Sequence, residues 1–375
     1  MKATFKTKEL LDKLSKITRA IPNKPKLPIA KYIQLDVNKY TNIIAWDTTN
    51  YSVSTIEAIE YDCKFTITIP LVRTILGLLW KQREKLVTIE VINDTTAHIY
   101  TDRSKTTVEI IDNSLFPVMP DVGNIDNIIE INQNELFNGL KKAINMVAKD
   151  GLRPVMEGIL FDVKTNKITF VSSNSVCLSK YEASANSKKE SEFVINKNTA
   201  KLLMDVVDKN KHDNLSIYYN EHYAVFSIGK NGVVEYLIIA NLILGNYPNY
   251  QAVIPTDLLN RFEVNRERFI DAIKQIKYYT PENKLMKLKI SKNYIELNAE
   301  DVERDIEQSV NIECKSNTEC VIGFNCDYLL KVLNNYDSEN IEFEFEGYYT
   351  NILSKEDKNL YMLLMQMIVD DYEGR

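Results

Sequence analysis

Residues 320–333 of the chain, CVIGFNCDYLLKVL, contain a short apolar run that leads directly into an amphipathic helical pattern. The run at 320–324 is typical of a strand, and the apolar residues after Asn325 recur at helical spacing. The same step from strand to helix occurs at 192–207 and at 65–82. The three helix starts lie 126 and 129 residues apart, which predicts a structural unit repeated three times with a period of about 125 residues.

Each repeat contains the same further features around that step. An amphipathic helix opens the repeats near Lys8, Asn134 and Asn265, and a pair of strand-like runs follows it. The first two repeats end in the aromatic-proline pairs Phe116-Pro117 and Tyr247-Pro248. We therefore predict an α+β fold in which each domain has two helices packed on antiparallel sheets. The predicted domains span 1–125, 126–256 and 257–375, the last with a short C-terminal extension.

Composition excludes several classes of protein. The 375 residues carry a formal charge of -6, and 45% of them are hydrophobic. No apolar run approaches the roughly 18 residues of a membrane-spanning helix, so a soluble, cytoplasmic protein is expected. The three histidines and five cysteines show no metal-ligand spacing, and the common nucleotide-binding and nucleophile motifs do not occur. Neither a cofactor nor a metal ion nor an enzymatic activity is therefore expected.

Charge is distributed unevenly along the chain. The six predicted helical segments together carry +13, whereas the remaining residues carry -19. Lysine and arginine favour helices in general, which is one explanation. The other explanation is that the helices of three similar domains line a common surface that faces a polyanion.

Four sequence motifs resemble those of the bacterial DNA polymerase III beta subunit, the sliding clamp. The motifs are KPKLPI at 24–29, RPVMEGILF at 153–161, GNYPNYQAVIP at 245–255 and IGFNCDYLL at 322–330. The last is the most specific, because it matches the family's Ile-Gly-Phe-Asn-x-x-Tyr-Leu helix entry. The resemblance covers nearly the whole chain, which is identified as a divergent member. Heavy use of Lys, Asn, Ile and Tyr fits an AT-rich coding sequence, and together with motifs that depart from the family pattern it suggests a phage or plasmid origin.

The resemblance implies a head-to-tail homodimer that closes into a ring around duplex DNA, with the helices inside. Such a ring tethers the replicative polymerase to its template as a processivity factor in DNA replication. Basic inner helices suit this role, because they attract phosphates without reading bases. The residues predicted to contact DNA are Lys13, Lys16, Arg19, Lys24, Lys26, Arg73, Lys81, Lys141, Lys142, Lys149, Arg153, Lys197, Lys201, Arg266, Lys274 and Lys277.

The resemblance also implies a hydrophobic cleft that binds short linear peptides of the polymerase and the clamp loader. Two of its segments depart from the family pattern. Val176 and Cys177 replace a His-Arg pair, and Met365 and Met367 stand where proline and arginine are expected. Loss of these polar groups predicts a partner motif different from the usual bacterial one. The predicted cleft residues are Met156, Ser173, Ser175, Val176, Cys177, Leu178, Pro248, Val253, Met362, Leu363, Leu364 and Met365.

The subunit interface is predicted by position, where Thr106 and Val108 of one chain meet Tyr278 and Tyr279 of the other. Two other functions remain open. One is a clamp-fold scaffold that binds replication proteins without encircling DNA. The weaker one is a hydrolase that uses the alternating acidic residues of 301–307, although a solvent-exposed strand explains that pattern more simply.

Overall fold

The computed structural model describes residues 1–21, 24–70, 77, 85–122, 125, 127–149, 151–207, 213–230, 233–301 and 305–369. Most of the predicted second helix of the first repeat, with Arg73 and Lys81, lies outside the described residues. Residues 370–375 of the C-terminal extension also lie outside them.

The first third of the chain contains helix α1 (Thr7–Thr18). Its strands are β1 (Lys2–Lys6), β2 (Tyr32–Val37), β3 (Tyr40–Trp46), β4 (Asn50–Glu57), β5 (Glu60–Tyr61), β6 (Phe65–Pro70), β7 (Leu86–Asn93), β8 (Thr96–Tyr100) and β9 (Lys105–Glu109). Helix α1 ends at Thr18, and the sequence has prolines at 22, 25 and 28. A continuation of the helix through this segment is disfavoured, because the residue before a proline disfavours helical geometry.

The middle third contains helices α2 (Gln133–Ala143) and α3 (Lys197–Val206). Its strands are β10 (Ile128–Asn132), β11 (Gly158–Val163), β12 (Lys167–Ser173), β13 (Cys177–Ser187), β14 (Ser191–Asn196), β15 (Asn214–Tyr219), β16 (Tyr223–Lys230) and β17 (Val233–Asn241). Helix α2 continues as a single 3-10 turn over Ile144–Met146.

The last third contains helices α4 (Arg266–Ile276) and α5 (Cys326–Leu333). Its strands are β18 (Asn260–Asn265), β19 (Leu285–Ile290), β20 (Tyr294–Asp301), β21 (Ile306–Ser316), β22 (Cys320–Asn325), β23 (Asn340–Glu346), β24 (Tyr349–Leu353) and β25 (Leu360–Met365).

Asparagine side chains cap the junctions where a strand leads into a helix. Asn196 ends β14, and its Oδ1 accepts a hydrogen bond from the backbone N–H of Thr199 at 2.9 Å. Asn325 ends β22 and accepts in the same way from Tyr328 at 3.2 Å. These bonds satisfy amide groups that have no partner in the first helical turn. The step seen in the sequence is therefore a capped strand-to-helix junction.

The described chain forms two compact units. Unit one consists of residues 1–137, 164–166 and 184–244, and unit two of residues 138–163, 167–183 and 245–375. The units do not follow the three sequence repeats, because strands of neighbouring repeats pair with each other. Strand β4 pairs with β17 in unit one, and the first part of β13 pairs with β25 in unit two.

Unit one contains an antiparallel sheet with the order β6-β2-β3-β4-β17-β16-β15-β10. A second antiparallel sheet has the order β5-β1-β7-β8-β9. Leu10, Leu14 and Ile17 form the buried face of α1, which packs on β3 and β4. Phe116, from the first aromatic-proline pair, belongs to an apolar cluster with Val53 and other residues of the first sheet.

Unit two contains antiparallel strands in the order β22-β19-β20-β21-β18-β23-β24-β25-β13. Helix α4 packs on β18, β20 and β21. Gly139 of α2 lies so close to the ring of Phe170 on β12 that a Cβ atom would be 2.2 Å from Cδ2. The β13–β25 pair and the end of β12 bring together the segments that form the site described next.

Candidate functional site

A cleft with a volume of about 260 Å³ opens in unit two. Three segments that are distant in sequence form it: the turn at 173–178, the link at 247–253, and strand β25. Every residue predicted to belong to a cleft lines it, with two exceptions on β25. The structure also places Arg153, which was predicted to contact DNA, on the lining of this cleft.

Strand β25 contributes alternate side chains to the cleft. Leu363 and Met365 line it, whereas Met362 and Leu364 are fully buried in the core. Successive side chains of a strand point to opposite faces, so neighbouring residues cannot share one surface. The prediction that Met362 and Leu364 line the cleft is therefore wrong.

The turn at 173–178 is held by its own polar side chains. Asn174 Oδ1 accepts hydrogen bonds from the backbone N–H groups of Val176 at 3.1 Å and Cys177 at 2.7 Å. Ser173 Oγ donates to the carbonyl of Cys177 at 2.9 Å. Ser175 adopts a φ of 71°, a left-handed conformation that such side-chain bonds stabilise. The turn therefore presents its apolar residues to the cleft on a fixed backbone.

Tyrosines supply much of the cleft that sequence reasoning missed. Tyr247, Tyr250 and Tyr349 all line it, together with Asn249. The Tyr250 hydroxyl donates a hydrogen bond to Asp162 Oδ2 at 2.7 Å. Burial and this carboxylate raise the pKa of Tyr250 to about 12, so it stays protonated at neutral pH. Tyr247 belongs to the aromatic-proline pair and Tyr250 to the motif at 245–255, so the available signal was their position next to the predicted cleft residue Pro248.

We expect Cys177 to resist alkylation although it lines the cleft. Burial raises the pKa of its thiol to about 12, against an opposing effect of Lys331. The thiol therefore stays protonated at pH 8, and the thiolate is the reactive form. Exposed Cys63 provides the matched control in the same chain. Mass spectrometry after iodoacetamide treatment should find Cys63 modified and Cys177 intact; equal modification of both would contradict the burial of Cys177.

The residues predicted to contact DNA differ in exposure. The exposed ones are Arg19, Lys24, Lys26, Lys141, Lys149, Arg153, Lys201 and Lys274, and the half-buried ones are Lys13, Lys16, Lys197, Arg266 and Lys277. Some already have partners within the chain, since Lys16 lies 3.1 Å from Asp12 and Lys277 lies 2.6 Å from Asp327. Exposed lysines such as Lys24 and Lys149 are the better placed for a polyanion.

The structure removes Lys142 from the residues predicted to contact DNA. Its side chain is only 5% exposed, and Nζ lies 3.3 Å from Asp337 Oδ2 and 3.1 Å from Asp357 Oδ2. The same ammonium group donates to the backbone carbonyl of Asn335. A buried lysine with three partners inside the protein cannot reach a phosphate, so the prediction that Lys142 contacts DNA is wrong.

A second cavity, of about 340 Å³, shares the 173–178 turn with the cleft. Lys149, Asn174, Tyr328 and Lys331 are among its lining residues. The ammonium group of Lys331 lies 4.9 Å from the centroid of the Tyr328 ring, a cation–π contact. Lys331, on α5, was not among the residues predicted to contact DNA. The structure thus brings two exposed lysines from distant segments to one cavity.

The residues predicted for a subunit interface lie on exposed parts of the two units. Thr106 and Val108 are half-buried on β9, which ends the strand order of its sheet. Tyr278 is 83% exposed in the turn after α4, and Tyr279 beside it is half-buried. Their role in an interface stays a prediction.

Two further findings concern membranes and metals. In the described part of the chain, no helix is long and apolar enough to cross a membrane. Within the same residues, no group of three His, Cys, Asp or Glu side chains is arranged to hold a metal ion.

Three family models match consecutive parts of the chain. They describe the N-terminal domain of the DNA polymerase III beta subunit at residues 1–120, its central domain at 130–249 and its C-terminal domain at 251–368. The beta sliding clamp of Staphylococcus epidermidis is 21% identical over 92% of this chain and 93% of its own length. That of Staphylococcus aureus is 20% identical over the same shares.

Solved structures show the same likeness in three dimensions. The DNA polymerase III subunit beta of Pseudomonas aeruginosa matches with a TM-score of 0.91 at 18% identity, covering 98% of this chain and 100% of that one. The DNA polymerase sliding clamp of Bacillus subtilis matches with a TM-score of 0.87 at 20% identity, covering 98% and 99%. The predicted fold of three repeated α+β domains is thereby confirmed.

Proposed function

The chain belongs to the DNA polymerase III beta subunit family, and we propose that it closes head to tail with a second copy around duplex DNA. As a member of this family it is a DNA sliding clamp, a non-catalytic processivity factor in DNA replication. Its partners are accordingly DNA and a polymerase.

The cleft supports a site for short linear peptides of the polymerase and the clamp loader. The observation that carries this proposal is the convergence of the 173–178 turn, the 247–253 link and β25 on one cavity of about 260 Å³. Burying two or three leucine or phenylalanine side chains there contributes about 1.5–3 kcal/mol each, before ordering costs. The burial free energy, less the cost of ordering the peptide, supports roughly micromolar affinity. Affinity of this size suits partners that exchange on the clamp.

Exposed lysines in each unit support binding to the DNA backbone. In unit one Lys24 lies in the loop after α1, and in unit two Lys149 and Lys331 meet at the second cavity. Ammonium groups attract phosphates without reading bases, so such lysines suit sliding along any sequence. The net charge of -6 does not oppose this role, because the negative charge lies mainly outside the helical segments.

Two strand edges support the closure of a ring. Strand β9 ends the order β5-β1-β7-β8-β9, so in the described chain no further strand of this sheet pairs with its outer edge. Residues 306–313 of β21 pair with β20 on one side, and among the described residues no strand pairs with their other side. An edge of this kind readily pairs with a strand of another chain. We therefore infer that β9 of one subunit and the last repeat of its partner form the joint.

Retention on circular DNA tests the encircling ring. The protein is loaded on a nicked plasmid by its clamp loader, freed of unbound protein, and followed by fluorescence before and after a restriction enzyme linearises the DNA. A closed ring should stay on the circle and leave soon after linearisation. Equal loss from intact and cut DNA would instead favour the scaffold that binds replication proteins without encircling DNA.

A charge-reversal triple tests the contribution of these lysines in a separate titration of DNA binding against salt concentration. Replacing Lys24, Lys149 and Lys331 with glutamate should reduce the salt dependence of DNA binding, by about 0.9 in the logarithmic slope for each lost phosphate contact. The matched control replaces the exposed lysines at 39, 64 and 188, which lie in strand turns, and changes the net charge equally. If both triples changed the slope alike, the proposed role of these lysines would be wrong.

A further inference from the structure

Unit one contains a turn that matches the 173–178 turn of the cleft. Asp47 Oδ1 accepts hydrogen bonds from the backbone N–H groups of Thr49 at 2.8 Å and Asn50 at 2.6 Å. These amides lie two and three residues after the acceptor, as they do in the 173–178 turn. The residue that follows the acceptor, Thr48, has a φ of 84°, and its counterpart in the cleft turn is also left-handed. The two turns therefore share their hydrogen bonds and their left-handed position.

The strands beside the two turns pair in the same register. In unit one Tyr51 of β4 lies opposite Ile239 of β17, and in unit two Leu178 of β13 lies opposite Leu363 of β25. Leu178 and Leu363 both line the cleft. Because the turn and the strand pairing are both repeated, Tyr51 and Ile239 form the corresponding wall in unit one.

An aromatic-proline link supplies another wall in both units. Tyr247-Pro248-Asn249 lines the cleft in unit two. Phe116-Pro117-Val118 has the same place in the first repeat, and Phe116 belongs to one buried apolar cluster with Tyr51 and Ile239. Unit one thus has its own copy of the turn, the strand and the link that form a cleft in unit two.

Two larger side chains distinguish the copy in unit one. Tyr51 stands where the cleft has Leu178, and Trp46 stands where it has Ser173. The Tyr51 hydroxyl donates a hydrogen bond to the carbonyl of Val118 in the link at 2.9 Å. The rings of Tyr51 and Trp46 lie 6.4 Å apart between centroids, and Tyr51 is only 8% exposed. A side chain that joins the strand to the link occupies the space that a peptide would need.

We propose that Tyr51 and Trp46 close a second copy of the cleft in unit one and so restrict each chain to a single peptide site. This inference rests on the proposed function of the cleft in unit two. The physical reason is volume, because aromatic rings replace a leucine and a serine and take the place of the apolar side chains of a partner. A ring of two such chains would carry two peptide sites rather than four.

Exchange of these side chains tests the closure directly. The variant Trp46→Ser/Tyr51→Leu gives unit one the side chains of the cleft, so an apolar cavity should open between β4 and the link. Crystals of this variant under xenon pressure should contain xenon there, since dry apolar cavities take up the gas. The matched control Tyr218→Leu removes a tyrosine ring packed against the same cluster but keeps the Tyr51–Val118 hydrogen bond. Absence of xenon beside the link of the double variant would refute the closure, and so would equal occupancy there in the control.

Peptide selection tests the second site itself. Met365→Glu places a charge on the lining of the cleft in unit two and should remove the existing site. A random dodecapeptide library is selected on full-length Met365→Glu and on the same chain with Trp46→Ser/Tyr51→Leu added. Only the combined variant should enrich peptides that share apolar residues, and restoring Tyr51 in it should abolish their binding. If no such peptides were enriched, these two residues would not be what restricts the number of sites.

The reciprocal exchange does not depend on how well the opened unit folds. Ser173→Trp/Leu178→Tyr places the closing side chains in unit two. By titration calorimetry, a dodecapeptide selected on the wild type should bind this variant about a hundredfold more weakly, as the loss of one or two buried apolar side chains predicts. If Met365→Glu leaves that peptide bound, the proposed function of the cleft is wrong. If Met365→Glu abolishes binding but neither exchange has its expected effect, the cleft stands and the role of Tyr51 and Trp46 is refuted.

Discussion

Replacing Lys142 with alanine should destabilise unit two by about 3–5 kcal/mol, the cost typical of removing one partner of a buried ion pair. The ammonium group lies between Asp337 and Asp357 and also donates to the Asn335 carbonyl. Its removal leaves the Asp357 carboxylate, which is only 22% exposed, without its cation. The Lys142 side chain lies on α2, and its partners lie beyond α5, so its loss should loosen the packing between these segments.

Lys141→Ala is the matched control. Lys141 is the neighbouring residue and lies 3.8 Å from the same Asp337 carboxylate, but its side chain is 48% exposed. A solvent-exposed pair of this kind contributes about 0–1 kcal/mol. Hydrogen exchange followed by mass spectrometry, in peptides that cover α2 and the start of β23, measures the local opening free energy of both variants. Similar protection in the two variants would contradict the buried role of Lys142.

Acid should weaken the same contact. Burial alone would raise the pKa of Asp337, but the ammonium groups of Lys142 and Lys141 outweigh it and hold the pKa below its ordinary value. A carboxyl group with a lowered folded-state pKa stabilises the fold above its unfolded pKa of about 3.9, and the contribution is lost as pH falls through the lowered value. Exchange protection in these peptides should therefore decline below about pH 4 in the wild type. It should decline less in Lys142→Ala, which has already lost the pair.

Gly139→Ala should destabilise unit two by about 2–3 kcal/mol, in the range that overpacking of a filled core produces. In an exposed helix the same change would stabilise, because glycine costs about 0.5–1 kcal/mol relative to alanine. At Gly139 the new Cβ would lie 2.2 Å from Phe170 Cδ2 and 2.4 Å from Cε2. Phe170 is fully buried, and its ring also packs edge-on against Phe161, at 4.8 Å between centroids. Neither ring has space to move away.

A second-site change distinguishes this clash from a general effect on the helix. Phe170→Leu shortens the obstructing side chain and alone should destabilise by leaving a cavity. The double variant Gly139→Ala/Phe170→Leu should be destabilised by less than the sum of the two single changes, because the added Cβ atom occupies part of the space that the shorter side chain leaves. Hydrogen exchange in peptides covering α2 and β12 reports all three variants. Strict additivity would show that the Gly139–Phe170 contact is not the cause.

The general architecture could be predicted from the chain because it depends on local signals. Apolar periodicity indicated strands and helices, and the asparagines at 196 and 325 mark helix starts that the structure confirms as caps. The repeat of about 125 residues followed from comparing those local patterns with one another. The resemblance to sliding clamps, carried by the helix entry at 322–330, gave the family that the three family models confirm.

The errors concern the direction and partners of individual side chains. All four residues of 362–365 were assigned to the cleft, although a strand can present only every second one. Lys142 and Lys141 look equivalent in the sequence, yet one is buried between carboxylates and the other is exposed. Lys331 was not predicted to contact DNA, although it shares a cavity with Lys149.

By itself, the sequence determined the repeat, the strand-to-helix junctions and the family, because these depend on neighbours within a few residues and on motif order. Only the tertiary structure decided which lysine of an adjacent pair is buried and which face of β25 lines the cleft. The physical reason is that burial and ion pairing depend on residues such as Asp337 and Asp357, which lie far along the chain from Lys142 and approach it only when the strands of neighbouring repeats pair.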